Sequence, residues 1–292
     1  MTTVKQATVE ANGIRFATLE AGSGPLVLCL HGFPDTAHTF RDQLPTLAAA
    51  GYRAVAPFMR GYAPTSPAKD GRYQSAALGQ DAVALIEALG HDSAYVFGHD
   101  WGAIAAYGAA ILAPQKVRKL ITAAVPHGPS VATAFLTNFD QQKRSWYMFF
   151  FQHFLADGAV GFNDYAFLER LWQDWSPNWR YTAEDLEALK QTFRQPGVLE
   201  AALGYYRCTL NPALQDPALA EIQNRISMAP VDVPSVIIYG AADGCMSADL
   251  LEGMEALFPR GLRKVVLPEA GHFVHREKPD EVNRILIEAF AD

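Results

Sequence analysis

Short apolar runs alternate with amphipathic stretches at both ends of the chain. The runs that predict β-strands lie at 14–20, 25–30, 53–57, 94–97, 119–124, 235–239 and 263–267. Two of them, PLVLCL at 25–30 and AYVF at 94–97, are continuously apolar, as expected for strands of a parallel sheet covered on both faces. Stretches such as 75–89 carry apolar residues at helical spacing, and 279–290 is predicted to form an amphipathic closing helix. This alternation predicts a doubly wound α/β fold.

The middle of the chain follows a different pattern. Between about 127 and 230 the strand-like runs disappear and aromatic residues become dense, most of all in WYMFFF at 146–151. Thr182, with Asp185 three residues later, is typical of a helix start, because each side chain can bind the other residue's backbone N–H. The expected organisation is therefore an α/β core at 1–126, an inserted all-helical cap at 127–230 and the rest of the core at 231–292.

Composition narrows the class of protein. The 292 residues are 50% hydrophobic and 19% charged, with a net charge of −7, which is typical of a globular protein. The acidic balance argues against nucleic acid or an anionic membrane as a partner. The longest apolar stretch, 103–113, is shorter than the ~20 residues of a transmembrane helix. The N-terminal residues lack the apolar region of a signal peptide, so none is expected.

Cysteine usage indicates a reducing compartment. Cys29, Cys208 and Cys245 are odd in number and widely separated, and form neither a disulfide framework nor a zinc pattern. We therefore expect a cytoplasmic protein. His272 and His275 have the spacing of paired metal ligands, but no acidic or cysteine residue stands at ligand spacing around them. We expect no metal and no cofactor, and the sequence leaves the oligomeric state open, a homodimer included.

The segment GHDWG at 98–102 directly follows the 94–97 strand and precedes a helix of small residues. Small residues on both sides of a polar one permit the sharp strand-to-helix turn that presents a nucleophile above a sheet. A lone G-x-D-x-G is more often a turn in which Asp100 caps a helix. The residues at other strand ends favour the nucleophile.

Three further predicted strands end in residues suited to acyl chemistry. HGFPD follows the second predicted strand, and the N–H of Phe33 can supply an oxyanion hole together with the N–H of Trp101. Asp243 and His272 follow two later strands. The order Asp100, Asp243, His272 is nucleophile, acid and histidine, as in α/β-hydrolases.

Over nearly its whole length the sequence resembles the α/β-hydrolase-fold epoxide hydrolases. The segments that carry the resemblance are HGFPD, Arg60-Gly61-Tyr62, GHDWG, the turn at Asp243 and GHFVHREKP. The family's cap tyrosines correspond to Tyr147, in WYMFFFQ, and Tyr206, in GYYR, with Tyr205 as the alternative register. On local grounds alone, tyrosines in so aromatic a segment are as often packing residues. The chain departs from the family before Arg60, where PFM replaces the usual acidic residue and leucine.

The resemblance implies a reaction with a small apolar epoxide and water. Asp100, ionised at neutral pH, would attack carbon and form an ester. His272, oriented by Asp243, would then activate water to hydrolyse that ester. The phenols of Tyr147 and Tyr206 would donate to the epoxide oxygen as the ring opens.

Two other functions remain open at this point. A haloalkane dehalogenase would use the same Asp100 ester, with the Trp101 side chain and a cap tryptophan binding halide. Those enzymes often carry Asn where Phe33 stands, and fluoroacetate-type relatives carry Arg where Trp101 stands. The other alternative is a ligand-binding protein without activity, which any measurable turnover would exclude. Trp172, Trp175 and Trp179 are expected to fill the cap core rather than line the pocket, and His99 to pack at the turn.

Overall fold

The structure is a computed structural model that describes residues 3–291. Its centre is an eight-stranded sheet with the order β1-β2-β4-β3-β5-β6-β7-β8. The strands are β1 (Lys5–Ala11), β2 (Ile14–Ala21), β3 (Leu26–Leu30), β4 (Arg53–Pro57), β5 (Ala94–His99), β6 (Val117–Ala123), β7 (Ser235–Gly240) and β8 (Leu262–Leu267). β1 and β2 pair antiparallel with their neighbours, and the remaining pairs are parallel. The predicted α/β fold is confirmed.

Each predicted strand is present, with ends that differ by at most two residues. The sequence prediction missed β1 because KQATVEA has no apolar run and most of its residues are at least partly exposed. β1 joins β2 through Asn12 and Gly13, whose φ values are 46° and 74°. Two positive φ angles make the tight hairpin turn that matches strand twist, and an Asn-Gly pair favours it.

The helices surround the sheet and fill the interval between β6 and β7. They are α1 (Gln43–Ala49), α2 (Ser75–Ala88), α3 (Trp101–Leu112), α4 (Ser130–Thr137), α5 (Phe139–Arg144), α6 (Trp146–Phe150), α7 (Ala156–Trp175), α8 (Ala183–Phe193), α9 (Val198–Leu210), α10 (Ala220–Met228), α11 (Val274–Glu277) and α12 (Pro279–Ala291). We call the stretch from α4 to α10 the cap segment. The backbone leaves helical geometry at 162–165 within α7. No helix within residues 3–291 has the length and apolar character needed to cross a bilayer.

The parallel strands bring distant parts of the sequence to one edge of the sheet. β3 and β7 are buried along their whole length, so their side chains fill the core between sheet and helices. The carboxyl ends of parallel strands meet at a single edge, where α/β proteins bind ligands. The cap segment contacts the loops at that edge, because the indole N–H of Trp172 donates to the carbonyl of Pro34 at 2.9 Å.

Candidate active site

The turn between β5 and α3 holds Asp100 in an unusual backbone conformation. Its φ and ψ are 52° and −121°, and its side chain makes no capping hydrogen bond to α3. A Cβ at Gly98 would lie 2.1 Å from the carbonyl oxygen of Gly102, and a Cβ at Gly102 would lie 1.9 Å from that of Leu30. Both glycines are therefore required. The turn is the sharp strand-to-helix junction that the sequence predicts, and the simple helix-cap interpretation of Asp100 is wrong.

The two carboxylate oxygens of Asp100 face different groups. Oδ1 accepts a hydrogen bond of 2.7 Å from the backbone N–H of Phe33. Oδ2 lies 3.4 Å from Nε2 of His272. Trp101 is the first residue of α3, so its N–H has no acceptor within the helix and is free for an external oxygen. The structure brings all four of these predicted site residues together.

His272 connects Asp100 to Asp243. The Nδ1–H of His272 donates to Oδ2 of Asp243 at 2.9 Å. The other oxygen, Oδ1, accepts from the backbone N–H groups of Cys245 at 2.7 Å and Met246 at 2.9 Å. Both carboxylate oxygens of Asp243 are thus engaged, which fixes the acid in one orientation.

Charges around His272 set its protonation. Burial disfavours a charged imidazole, but the carboxylates of Asp243 and Asp100 outweigh burial and hold the pKa of His272 well above its usual value. Nε2 faces Oδ2 of Asp100 at 3.4 Å. His99 behaves in the opposite way, because burial and the nearby His272 lower its pKa to about 3. A neutral His99 donates through Nε2 to the carbonyl of His272 at 2.9 Å, which is consistent with the expected packing role.

Tyr147 on α6 and Tyr206 on α9 face the same cavity as Asp100. Their ring centroids are 5.6 Å apart, and both line a cavity of about 350 Å³ together with Asp100 and Trp101. Tyr205, the alternative register, instead donates to the carbonyl of Arg60 at 2.7 Å. Of the two adjacent tyrosines, Tyr206 is therefore the one that faces Asp100.

The cavity keeps both phenols protonated. Burial raises the pKa of Tyr147 and of Tyr206 well above its usual value. The Tyr147 hydroxyl lies 3.3 Å from the sulfur of Cys245, whereas the Tyr206 hydroxyl interacts with the side chain of Trp101. Each phenol is thus a neutral O–H donor beside a carboxylate.

Sequence analysis missed the residues that hold the loop of Asp243. Gln141 on α5 donates through Nε2 to the carbonyl of Cys245 at 2.9 Å and accepts through Oε1 from the N–H of Ser247 at 3.0 Å. Arg144 donates to the carbonyl of Asp243. The one sequence signal that could have pointed to this loop is Cys245, which stands two residues after Asp243. Gln141 and Arg144 have no local signal, because their partners are set by tertiary packing.

No acidic or cysteine residue stands at ligand spacing along the chain from His272, but the fold brings one of each close to it. Ligand atoms of Asp243, Cys245 and His272 lie within 4.8 Å of one another. Their separation along the chain concealed this cluster, which offers one oxygen, one sulfur and one nitrogen ligand. Hydrogen bonds already engage both Asp243 oxygens and Nδ1 of His272, so a metal ion bound there would have to displace the Asp243–His272 bond.

The three cap tryptophans are buried, as core filling requires, but they also border the site. The Trp175 ring lies 5.2 Å from that of His272 and 4.7 Å from that of Tyr147. The rings of Trp172 and Trp179 pack against each other at an angle of 45°, with centroids 4.6 Å apart. Trp175 therefore forms part of the wall around His272, whereas the other two pack behind it.

Comparisons with known proteins agree with this geometry. The family model of the alpha/beta hydrolase fold matches residues 25–279. The AB hydrolase superfamily protein YfhM of Bacillus subtilis is 32% identical, over 98% of this chain and 97% of its own length. Human epoxide hydrolase 4 is 31% identical, over 95% of this chain and 76% of its own. The crystal structure of the Bacillus megaterium epoxide hydrolase with an inhibitor superposes with a TM-score of 0.85 at 30% identity, covering 98% of this chain and 100% of that one. The chain belongs to the α/β-hydrolase fold family, and it shares nearly its whole length with epoxide hydrolases of that family.

Proposed function

We propose that the protein is an epoxide hydrolase that converts an epoxide and water into a vicinal diol through an ester of Asp100. One observation carries the proposal: a buried carboxylate with one oxygen held by a backbone N–H shares a cavity with two protonated phenols. A carboxylate can displace an alkoxide from carbon only if that alkoxide receives a proton. Tyr147 and Tyr206 are the donors that this reaction needs.

In the first step, Oδ2 of Asp100 attacks a ring carbon and the bond from that carbon to the epoxide oxygen breaks. The N–H of Phe33 binds Oδ1, which leaves Oδ2 as the attacking atom. The released oxygen takes a proton from a phenol of Tyr147 or Tyr206, and that phenol becomes a phenolate. The product of this step is a hydroxyalkyl ester of Asp100.

In the second step, Nε2 of His272 takes a proton from water, and the hydroxide attacks Cγ of Asp100. The negative charge develops on Oδ1, where the N–H groups of Phe33 and Trp101 stabilise it. When the tetrahedral intermediate collapses, the ester oxygen leaves with the diol and the carboxylate of Asp100 is restored. His272 gives the proton taken from water to the departing ester oxygen, and the proton left on the Asp100 carboxyl then passes to the imidazole.

The charge of Asp100 decides when His272 can act as a base. In the free enzyme the nearby carboxylates hold the pKa of His272 above its usual value, so the imidazole is protonated. Ester formation removes the negative charge that lies 3.4 Å from Nε2. Loss of that attraction lowers the pKa of His272. The imidazole therefore gives its proton to the phenolate left by ring opening and becomes a base when there is an ester to hydrolyse.

The cavity favours a small epoxide with apolar substituents. Of the described residues that line its volume of about 350 Å³, only Asp100 carries a charge at neutral pH, because burial lowers the pKa of His127. Val131 and Phe135 from α4 and Met148 from α6 form part of the apolar wall. An ionic substrate would lose its hydration there without gaining a partner.

We also assign the three regions of the chain to parts of this reaction. We assign residues 1–126 and 231–292 to the core that carries Asp100, Asp243 and His272; residues 1, 2 and 292 lie outside the part of the chain that the structure describes. Residues 127–230 form the cap that carries both phenols.

The cysteines support a cytoplasmic location, because Cys29, Cys208 and Cys245 are buried free thiols.

A panel of aryl, aliphatic and terpenoid epoxides beside haloalkanes, with diol and halide both measured, tests the function. We expect diol from apolar epoxides. Halide without diol would replace the proposal with a dehalogenase, and no turnover at all would favour a ligand-binding protein. A single turnover in ¹⁸O-labelled water should place label in the Asp100 carboxylate and none in the diol. Label in the first diol would mean direct attack by water.

A further inference from the structure

Cys245 lies where the core acid and a cap phenol meet. Its backbone N–H donates to Oδ1 of Asp243 at 2.7 Å. Its sulfur lies 3.3 Å from the hydroxyl of Tyr147, within hydrogen-bond distance for sulfur. The side chain is fully buried. One residue therefore contacts both the triad acid and the Tyr147 phenol.

This contact makes the two phenols unequal. The Tyr206 hydroxyl faces the same cavity but interacts with the side chain of Trp101 rather than with a thiol. The ring of Tyr206 is instead held by edge contacts with Phe33 at 5.2 Å and Trp101 at 4.9 Å. The thiol is thus a specific partner of Tyr147.

A thiol is a suitable partner for a phenol that must later be released. Sulfur is a weak donor and a weak acceptor, and burial raises the pKa of Cys245, which keeps the thiol neutral. A neutral weak partner can fix the direction of the phenol O–H without removing its proton. An epoxide oxygen, which is a stronger acceptor, can then displace the sulfur when substrate binds.

We propose that Cys245 is a positioning residue for ring opening: its thiol orients the Tyr147 phenol toward the bound epoxide and yields when the epoxide oxygen arrives. The proposal rests on the epoxide hydrolase function described above. Cys245 does not act on the substrate. Its thiol also lies close to His272, but His272 serves ester hydrolysis, so the effect of Cys245 on ring opening passes through Tyr147.

The test compares ring opening in Cys245→Val, which keeps most of the side-chain volume but cannot hydrogen-bond, with Cys245→Ser, which can. Single-turnover formation of the Asp100 ester, followed by intact mass, should slow about fivefold in Cys245→Val, the rate equivalent of one neutral hydrogen bond. Cys245→Ser should recover most of the rate. Cys208→Ala is the matched control, because this buried thiol lies toward the carbonyl of Leu214, and its ring opening should be unchanged.

Double variants separate positioning from general packing. In a Tyr147→Phe background, Cys245→Val should cause no further loss, because the phenol it orients is gone. In a Tyr206→Phe background it should still cause the fivefold loss. Equal losses in both backgrounds, or unchanged ring opening in Cys245→Val, would overturn the proposal.

An infrared measurement reads the contact without substrate. The S–H stretching band of Cys245, isolated as the difference between wild type and Cys245→Val, should shift in Tyr147→Phe and stay unchanged in Tyr206→Phe. A band that does not move in Tyr147→Phe would overturn the contact. A wild type that makes no diol would instead overturn the epoxide hydrolase function and with it the role of Cys245, even if the band shifts.

Discussion

The core and the cap segment place their site residues by different physical means. In the core, the backbone fixes Asp100 through a positive φ and two glycines that leave no space for a side chain. In the cap segment, ring contacts hold the phenols. Tyr147 lies 5.5 Å from Phe151, and Phe151 lies 5.1 Å from Tyr206. In the proposed reaction, the core thus sets the position of the attacking carboxylate, and the cap segment sets the position of the donated proton.

This division suits the chemistry of the two groups. A nucleophile must meet carbon at a short distance and a defined angle, so a small displacement greatly lowers the rate. A phenol can donate from a range of directions, since its O–H rotates. Packed side chains can be replaced by others of similar volume at little cost in stability. The sequence of the cap segment can therefore change to fit a different substrate.

The largest expected effect falls on the core. Asp100→Ala should lower diol formation by ~10⁴-fold or more and form no ester. His272→Gln should stop turnover to a similar extent but still form the ester, because His272 is needed only to activate water. Intact mass after incubation with substrate distinguishes the two variants. An unmodified His272→Gln protein would show that His272 acts before the ester forms.

A smaller effect is expected when the cap loses its donors. Tyr147→Phe with Tyr206→Phe removes both O–H groups and keeps the rings, so ester formation should slow by ~10²–10⁴-fold. Hydrolysis of an ester already formed should change less, because it depends on His272. Rapid-quench kinetics resolves the two steps. Ring opening at the wild-type rate would make both tyrosines packing residues and remove the cap from the chemistry.

Adding a side chain next to the Asp100 carboxylate should also lower turnover, although it removes no reacting group. A Cβ at Gly32 would lie 2.2 Å from Oδ1 of Asp100, so Gly32→Ala must displace the carboxylate or the loop. We expect a loss of about 10²-fold in turnover. Gly158→Ala in α7 is the control, because a Cβ there meets nothing within 4 Å. Melting curves of both variants separate displacement from unfolding, and full activity in Gly32→Ala would refute positioning by the backbone.

The smallest effect concerns an ion pair that joins the two regions. Asp185 of α8 pairs with Arg41 and, at 3.0 Å, with Arg276 of α11. Asp185→Asn should raise KM about threefold, as expected for a pair worth under 1 kcal/mol, and should reduce the dependence of KM on salt. Asp157→Asn is the control, since its partner Arg207, at 2.7 Å, also lies in the cap segment. Equal changes in both variants would mean that the pair stabilises only the cap segment.

The pH dependence of that pair has a defined sign. Burial opposes ionisation of Asp185, but the Thr182 N–H and both arginines outweigh it, so its pKa lies below the usual value. The difference between wild type and Asp185→Asn should persist at neutral pH and disappear only as acid protonates Asp185.

The sequence predicted the core more fully than the cap segment. β3 and β5 were found because strands buried on both faces are continuously apolar, and Asp100, Asp243 and His272 were found because each follows a predicted strand. β1 was missed because its residues are largely polar and exposed. In the cap segment, periodicity located a helix start at Thr182, which forms the capping box with Asp185. It did not show which helix faces which loop.

Only the structure shows which way side chains point at the contact between the core and the cap segment. The adjacent residues Tyr205 and Tyr206 have the same local signal, and only the hydrogen bond of Tyr205 to the carbonyl of Arg60 separates them. The contact of Cys245 with Tyr147 joins residues 98 positions apart. No local pattern encodes a pairing at that distance.

The bridge made by Gln141 has a consequence for how the protein folds. Its two hydrogen bonds join positions 104 and 106 residues apart, and they hold the loop that presents Asp243 to His272. Contacts of large sequence separation form slowly, because the chain entropy of closing the loop is lost before the contact stabilises it. On dilution from denaturant, we therefore expect far-UV circular dichroism to recover first. Diol-forming activity should lag behind until α5 docks on that loop.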